Sequence, residues 1–232
     1  FPPEKVTVQP PPGCPALTGM TIGGPVAGVT ADIAAATARA EVAPGQALSL
    51  ADGRMRMERL AAPIDADIGF RLRGPAPALV HLLQSEALRP IFNIDLPTAG
   101  MQGTVDLAVS VGLPLVKELT PDQVVSSATG TLKGLSVDLG NGRDKLTDAD
   151  LALTLDASSI ALAGTGRLAG LPAAIDLRQP LRPAGGGSAG DGRAAITLTL
   201  DDAARAARGF DLGPRLRGPV TARIDAPFGG RK

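Results

Sequence analysis

The stretch MQGTVDLAVSVGLPL, Met101 to Leu115, decides how the rest of the chain is read. Its apolar residues Val105, Leu107, Val109, Val111 and Leu113 occupy every second position, with Thr104, Asp106 and Ser110 among the residues between them. Successive side chains of a strand point to opposite faces, so a period of two predicts a strand with one aliphatic and one solvated face. The same alternation recurs on both sides of it. Ile64, Ala66, Ile68, Phe70 and Leu72 alternate with Asp65, Asp67, Arg71 and Arg73. Leu151, Leu153 and Leu155 alternate with Asp150, Thr154 and Asp156, and Ile196, Leu198 and Leu200 with Thr197 and Thr199. Val220 and Ile224 oppose Thr221, Arg223 and Asp225. One aliphatic face and one polar face per strand is the antiparallel pattern, so the expected fold class is mainly β.

Composition narrows the function. Lys+Arg and Asp+Glu are both 23 in 232 residues, and the aromatics are five Phe with no Tyr or Trp. Nucleic-acid binding needs an excess of basic groups and often stacking platforms, so no nucleic-acid partner is expected. One Cys (Cys14) and one His (His81) exclude zinc sites, iron–sulfur clusters and disulfide scaffolds. No metal and no cofactor is expected. No apolar run reaches the roughly 18–20 residues that a membrane-spanning helix requires. The chain begins at Phe1 and reads as a segment of something longer. Cys14 follows Pro12-Gly13, but Glu4, Lys5 and Gln9 stand where a lipoprotein signal would need an apolar stretch, so it reads as an incidental thiol.

Six prolines in residues 1–15 predict an extended linker. Residues 16–228 read as the β segment. Asp52-Gly53, Asn141-Gly142, Asp191-Gly192 and Gly23-Gly24-Pro25 predict tight turns, and PAGGGSAGDG (183–192) a flexible loop. Two stretches look helical. Leu79, Leu82, Leu83 and Leu88 share a face between Pro75 or Pro77 and Pro90, and Asp201–Arg208 has aspartates first, arginines later and Gly209 as a stop.

Internal repetition accompanies this pattern. Residues 50–79 align without gaps on 146–175, matching Leu50 with Leu146, Asp52 with Asp148, Met55 with Leu151, Met57 with Leu153 and Gly74 with Gly170. A strand–helix–strand order also occurs twice, with Gly103-Thr104-Val105 and Gly218-Pro219-Val220 opening the second strands. The repeated regions are 50–115 and 146–226. Stacked β units favour an extended sheet over a closed catalytic domain.

Short catalytic matches fail on context. Gly186-Gly187-Ser188-Ala189-Gly190 fits a nucleophile elbow, but it sits in a glycine tract and the only histidine lies far upstream. Gly164-Thr165-Gly166 with Gly170 has the wrong spacing for a dinucleotide loop, and Pro172 disfavours the helix that should follow; a strand with glycine kinks fits better. His81 stands among leucines with no Ser or Cys to activate. An enzyme is not expected.

That leaves the aliphatic face itself. The candidate lining residues are Ile64, Ile68, Phe70, Val105, Leu107, Val109, Val111, Leu151, Leu153, Leu155, Ile196, Leu198, Val220 and Ile224. A second sheet could close over them as a sandwich, making a structural or protein-interaction module, or the face could stay open as a groove. An open aliphatic groove suits acyl chains, which gain about 0.8 kcal/mol per buried CH₂ without directional contacts.

The order of elements adds a resemblance covering roughly residues 16–228. PALTG…GGPVAG is followed by ATARAEV, LSLADGRMRMERL and IDADIGFRLRGPAPALVHLL. GMQGTVDLAVSVGLPL, then SSATGTLKGLSVDLGNGRDKLTDADLALTLDASSIALAGTGRLAGLPAAIDL and a closing Gly-Pro-Val strand complete the order. This resembles the AsmA-like family of bacterial envelope proteins, and most closely its YhdP-type domain. The resemblance implies an extended, twisted antiparallel sheet forming an open groove, with two short helices and no catalytic residues. It further implies a periplasmic location, phospholipids as partners, and a parent anchored in the inner membrane by a part outside this segment. The implied role is phospholipid transport between inner and outer membranes and maintenance of the envelope.

Overall fold

The structure is a computed structural model that describes residues 4–8, 17–23, 26–27, 30–57, 64–86, 88, 97–116, 123–139, 145–181, 191–209 and 217–228. Thirteen strands form one antiparallel sheet: β1 (Glu4–Val8), β2 (Leu17–Gly23), β3 (Val26–Ala27), β4 (Thr30–Ala43), β5 (Gln46–Met57), β6 (Asp65–Pro75), β7 (Gln102–Pro114), β8 (Val125–Asp138), β9 (Lys145–Leu155), β10 (Ser159–Leu168), β11 (Leu171–Pro180), β12 (Gly192–Leu200) and β13 (Val220–Phe228). Apart from the short β3, which pairs beside β4, every strand lies next to its neighbour in sequence. Among the described residues β1 and β13 are the two edges, so the sheet is open and no second sheet covers it. The sandwich alternative is thereby excluded.

Two further expectations are corrected. Glu4–Val8, inside the stretch read as linker, pairs antiparallel with β2; alternation in this short segment is masked by the surrounding prolines. Asp52-Gly53 is not a turn between strands. It lies within β5, where the pairing with β6 skips between Ala51 and Arg54 and Asp52 adopts φ 53°. Asp and Asn tolerate the left-handed region, so a turn-like dipeptide can serve as a bulge instead. The sharp turns of the described residues include Pro44-Gly45, between β4 and β5, and Ala169-Gly170, where both residues have positive φ between β10 and β11. Asn141-Gly142 and the Gly186–Gly190 tract lie outside the described residues.

Both helices are shorter than the sequence suggested. α1 spans Ala76–Leu83, and bonds from Gln84 N–H to Val80 O and from Ser85 N–H to Leu82 O close its last turn. α2 spans Asp202–Ala207, with the Asp201 side chain accepting from Ala204 N–H at 2.7 Å as its N-cap. Each helix joins two adjacent antiparallel strands, β6 to β7 and β12 to β13, so both stand along the same rim of the sheet. Ala76 to Val80 of α1 are all buried against the β4–β7 end of the sheet. α2 is held by Arg205, which is buried, pairs with Asp202 and donates to Gly218 O; Arg208 reaches Ala169 O at 2.8 Å.

Residues aligned in the sequence repetition share backbone conformations at two points. Asp52 and Asp148 both take left-handed backbone at irregular points of β5 and β9. Gly103 and Gly218, each on the way from a helix into the next strand, both have φ near 100–121°.

The polar face carries exposed ion pairs. Asp106 on β7 accepts from Arg71 at 2.6 and 3.0 Å and from Arg73 at 3.1 Å, both on β6. These hydrogen bonds, Arg71 foremost, hold the Asp106 carboxyl below its ordinary range. Exposed pairs of this kind contribute little net stability. At the β9–β10 turn Asp156 accepts from the hydroxyl and N–H of Ser158 and the N–H of Ser159, which lower its carboxyl to about 2. A lowered native pKa adds stability that is complete above the unfolded value of about 3.9 and is lost as pH falls. A carboxyl-detected NMR titration should therefore place Asp156 near 2, and the turn should loosen between about pH 4 and pH 2. An Asp156 midpoint at the ordinary value would refute the turn geometry.

Candidate functional site: the aliphatic face

Directly opposed residues of an antiparallel sheet share a face, so the register shows which side chains lie together. Four rows run across the strands. The first joins Leu50, Leu72, Leu107, Gly130, Leu153, Leu162 and Leu177. Next to it, on the side of the helices, lie Val105, Leu132, Leu151, Gly164, Ile175, Ile196 and Ile224. Towards the opposite rim follow Phe70, Val109, Ala128, Leu155 and Ile160, and then Met55, Ile68, Val111 and Ser126.

All fourteen expected residues fall on this one face. Ile64, just before β6, is in phase with it and accepts from Leu115 N–H at 2.6 Å; Leu198 opposes Ala173, and Val220 opposes Leu200. They do not form one compact pocket. Six strand spacings separate β7 from β13, about 29 Å at about 4.8 Å each. Position in the sheet also sorts them by exposure. Val105, Leu107, Leu151 and Leu153 are buried, Ile64, Ile68, Phe70, Val109, Val111, Leu155, Ile196, Leu198 and Val220 are half-buried, and Ile224 on the edge strand is 47% exposed.

The hydrophobic cluster is contiguous from Leu48 on β5 to Ile175 on β11. Among the described residues α1 and α2 are the only helices, and Met101, just before β7, is buried in the same cluster. Bulges and close strand approaches increase twist and curvature. Register shifts interrupt β4–β5, β5–β6, β7–β8, β8–β9 and β9–β10. Glycine stands opposite leucine at two of the close approaches. A Cβ on Gly130, opposite Leu107, would lie 2.0 Å from Asp106 O, and one on Gly164, opposite Leu151, would lie 2.1 Å from Asp150 O. Gly164 and Gly166 thus belong to a kinked strand, β10.

The face holds residues that the simple alternation passed over. Leu132, Leu135 and Val137 are buried on β8, but Gly134 at φ 59° breaks the period between them. Leu171, Ala173, Ile175 and Leu177 on β11 keep strict alternation, and Leu171, Ala173 and Ile175 are buried. Among the described residues no group of three or more His, Cys, Asp or Glu could hold a metal ion. No described helix is long and apolar enough to cross a membrane. No protein-family model, curated protein or solved structure matches the chain.

Proposed function

We propose that the aliphatic face binds the acyl chains of phospholipids and keeps them from water. The observation that carries this reading is a single open sheet whose aliphatic side chains form continuous rows across the strands from β5 to β13. A large apolar surface of this kind marks a binding site, and a lining almost free of aromatic and hydrogen-bonding groups suits flexible methylene chains. The AsmA-like resemblance supplies the setting: a periplasmic segment of a parent anchored in the inner membrane, moving phospholipid between inner and outer membranes and supporting envelope integrity. Lipid extraction and native mass spectrometry of the purified protein test the binding. Phospholipid should be recovered with the wild type and be strongly reduced with Val111→Glu, which sets a carboxylate on the half-buried part of the face. Recovery of no phospholipid from folded wild-type protein overturns the reading.

A further inference from the structure

Exposure of the aliphatic face is graded along the strands. On β7 it rises from Val105 and Leu107, at 3% and 4%, through half-buried Val109, Val111 and Leu113 to Leu115 at 41%. β6, β9 and β11 repeat the trend: Leu72 is buried and Phe70 and Ile68 are half-buried, Leu151 and Leu153 are buried and Leu155 half-buried, and Ile175 is buried and Leu177 half-buried. Ala66 departs from it, a small side chain between Met57 and Leu113. In every one of these strands the buried end is the rim that carries α1 and α2. At the opposite rim Ser126 and Gln179 bring hydrogen-bonding side chains onto the aliphatic face.

The geometry points to a fixed polarity for the bound amphiphile, an inference that rests on the acyl-chain reading above. The methyl end lies toward the helix-bearing rim, and the head group leaves at the opposite rim, where β7, β9 and β11 end. Distances agree. From Leu107 to Leu113 the strand covers about 20 Å at about 3.4 Å per residue. One leaflet's acyl region is about 15 Å, half of the hydrocarbon core. A chain entering the other way would lodge a hydrated head group beside Val105 and Leu151, where desolvating it without partners is unfavourable. Described charges near the open rim are mixed, with Asp65, Asp156 and Asp191 exposed alongside Arg178 and Arg193.

The absence of Trp and Tyr makes the test clean, because one introduced Trp is the only indole in the protein. Ile160 and Leu168 are half-buried on the aliphatic face at opposite ends of β10, Ile160 toward the open rim and Leu168 toward the helices. Ile160→Trp and Leu168→Trp proteins, checked for fold by circular dichroism, are mixed with phosphatidylcholine brominated near the carboxyl or near the methyl end of its chains. Bromine near the methyl end should cause the larger loss of fluorescence in Leu168→Trp, and bromine near the carboxyl the larger loss in Ile160→Trp. Val111→Trp and Leu83→Trp serve as second reporters of the two rims should a β10 variant fail to fold. The reverse ranking, or the same ranking from both lipids, overturns the polarity and leaves acyl-chain binding standing. Quenching of no reporter by either lipid overturns acyl-chain binding itself.

Discussion

Gly164→Ala is expected to lower the stability of the sheet by about 3 kcal/mol, the upper end of what overpacking costs. The added Cβ meets backbone, Asp150 O at 2.1 Å and Leu151 Cα at 3.0 Å, and backbone in a paired strand cannot swing aside as a side chain can. Relief requires β9 and β10 to separate at the row that joins Leu132, Leu151 and Ile175, all of them buried. Native proteins hold only about 5–15 kcal/mol in reserve, so the loss should be visible as a clear fall in the urea midpoint. Gly112→Ala is the matched control. Its Cβ meets the Asp67 carboxylate at 3.3 Å and Val125 O at an ordinary contact distance of 3.9 Å, on the polar face. Equal midpoints for the two variants would show that the β9–β10 approach is not a constraint on the fold.

Leu107→Glu should be more damaging still. Leu107 is 4% exposed, and an unpaired carboxylate there faces aliphatic neighbours on β6 and β8. The effective penalty for such a charge is several kcal/mol, comparable with the whole stability of a marginal domain. Part of that penalty is avoided by protonation, which raises the carboxyl pKa in the folded protein. The folded state then binds the proton more tightly than the unfolded chain, so the variant should regain stability as pH falls towards the unfolded value of about 4.3. Val111→Glu, two pairs further toward the open rim and half-buried, should keep its fold at neutral pH. Thermal unfolding across pH separates the cases. Equal and pH-independent losses for both variants would contradict the gradient of burial along β7. The contrast also decides which variant can report on binding, since loss of ligand from an unfolded protein says nothing about the groove.

What the sequence disclosed follows from where the period of two survives. On β6, β7 and β12, and on β9 from Leu151 to Leu155, the alternation is uninterrupted and the predicted face is the observed one. It was less legible where a bulge changes the phase. Gly134 on β8 sets Leu132 and Leu135 three apart, and Asp52 on β5 splits Leu50 from Met55, so neither strand reads as a single alternating run. The close strand approaches were hidden for a different reason. The glycines at 130 and 164 look like breaks in a strand, and only the register shows them opposite leucines at points of close approach. The burial gradient could not be read from any one strand, because Val105 and Val111 are the same residue type in the same alternation. Their difference follows the rim on which the helices stand.

The sequential order of the strands carries a consequence for how such a molecule can change in size. Since neighbours in the chain are neighbours in the sheet from β4 to β13, removing a hairpin such as β10–β11 leaves β9 and β12 running antiparallel and facing the same way. Gain or loss of two strands thus alters the width of the sheet by about 9.6 Å while reversing no other element. Duplication of hairpins is then a route by which length can be adjusted in discrete steps, and the shared left-handed aspartates of β5 and β9 are the kind of trace it would leave.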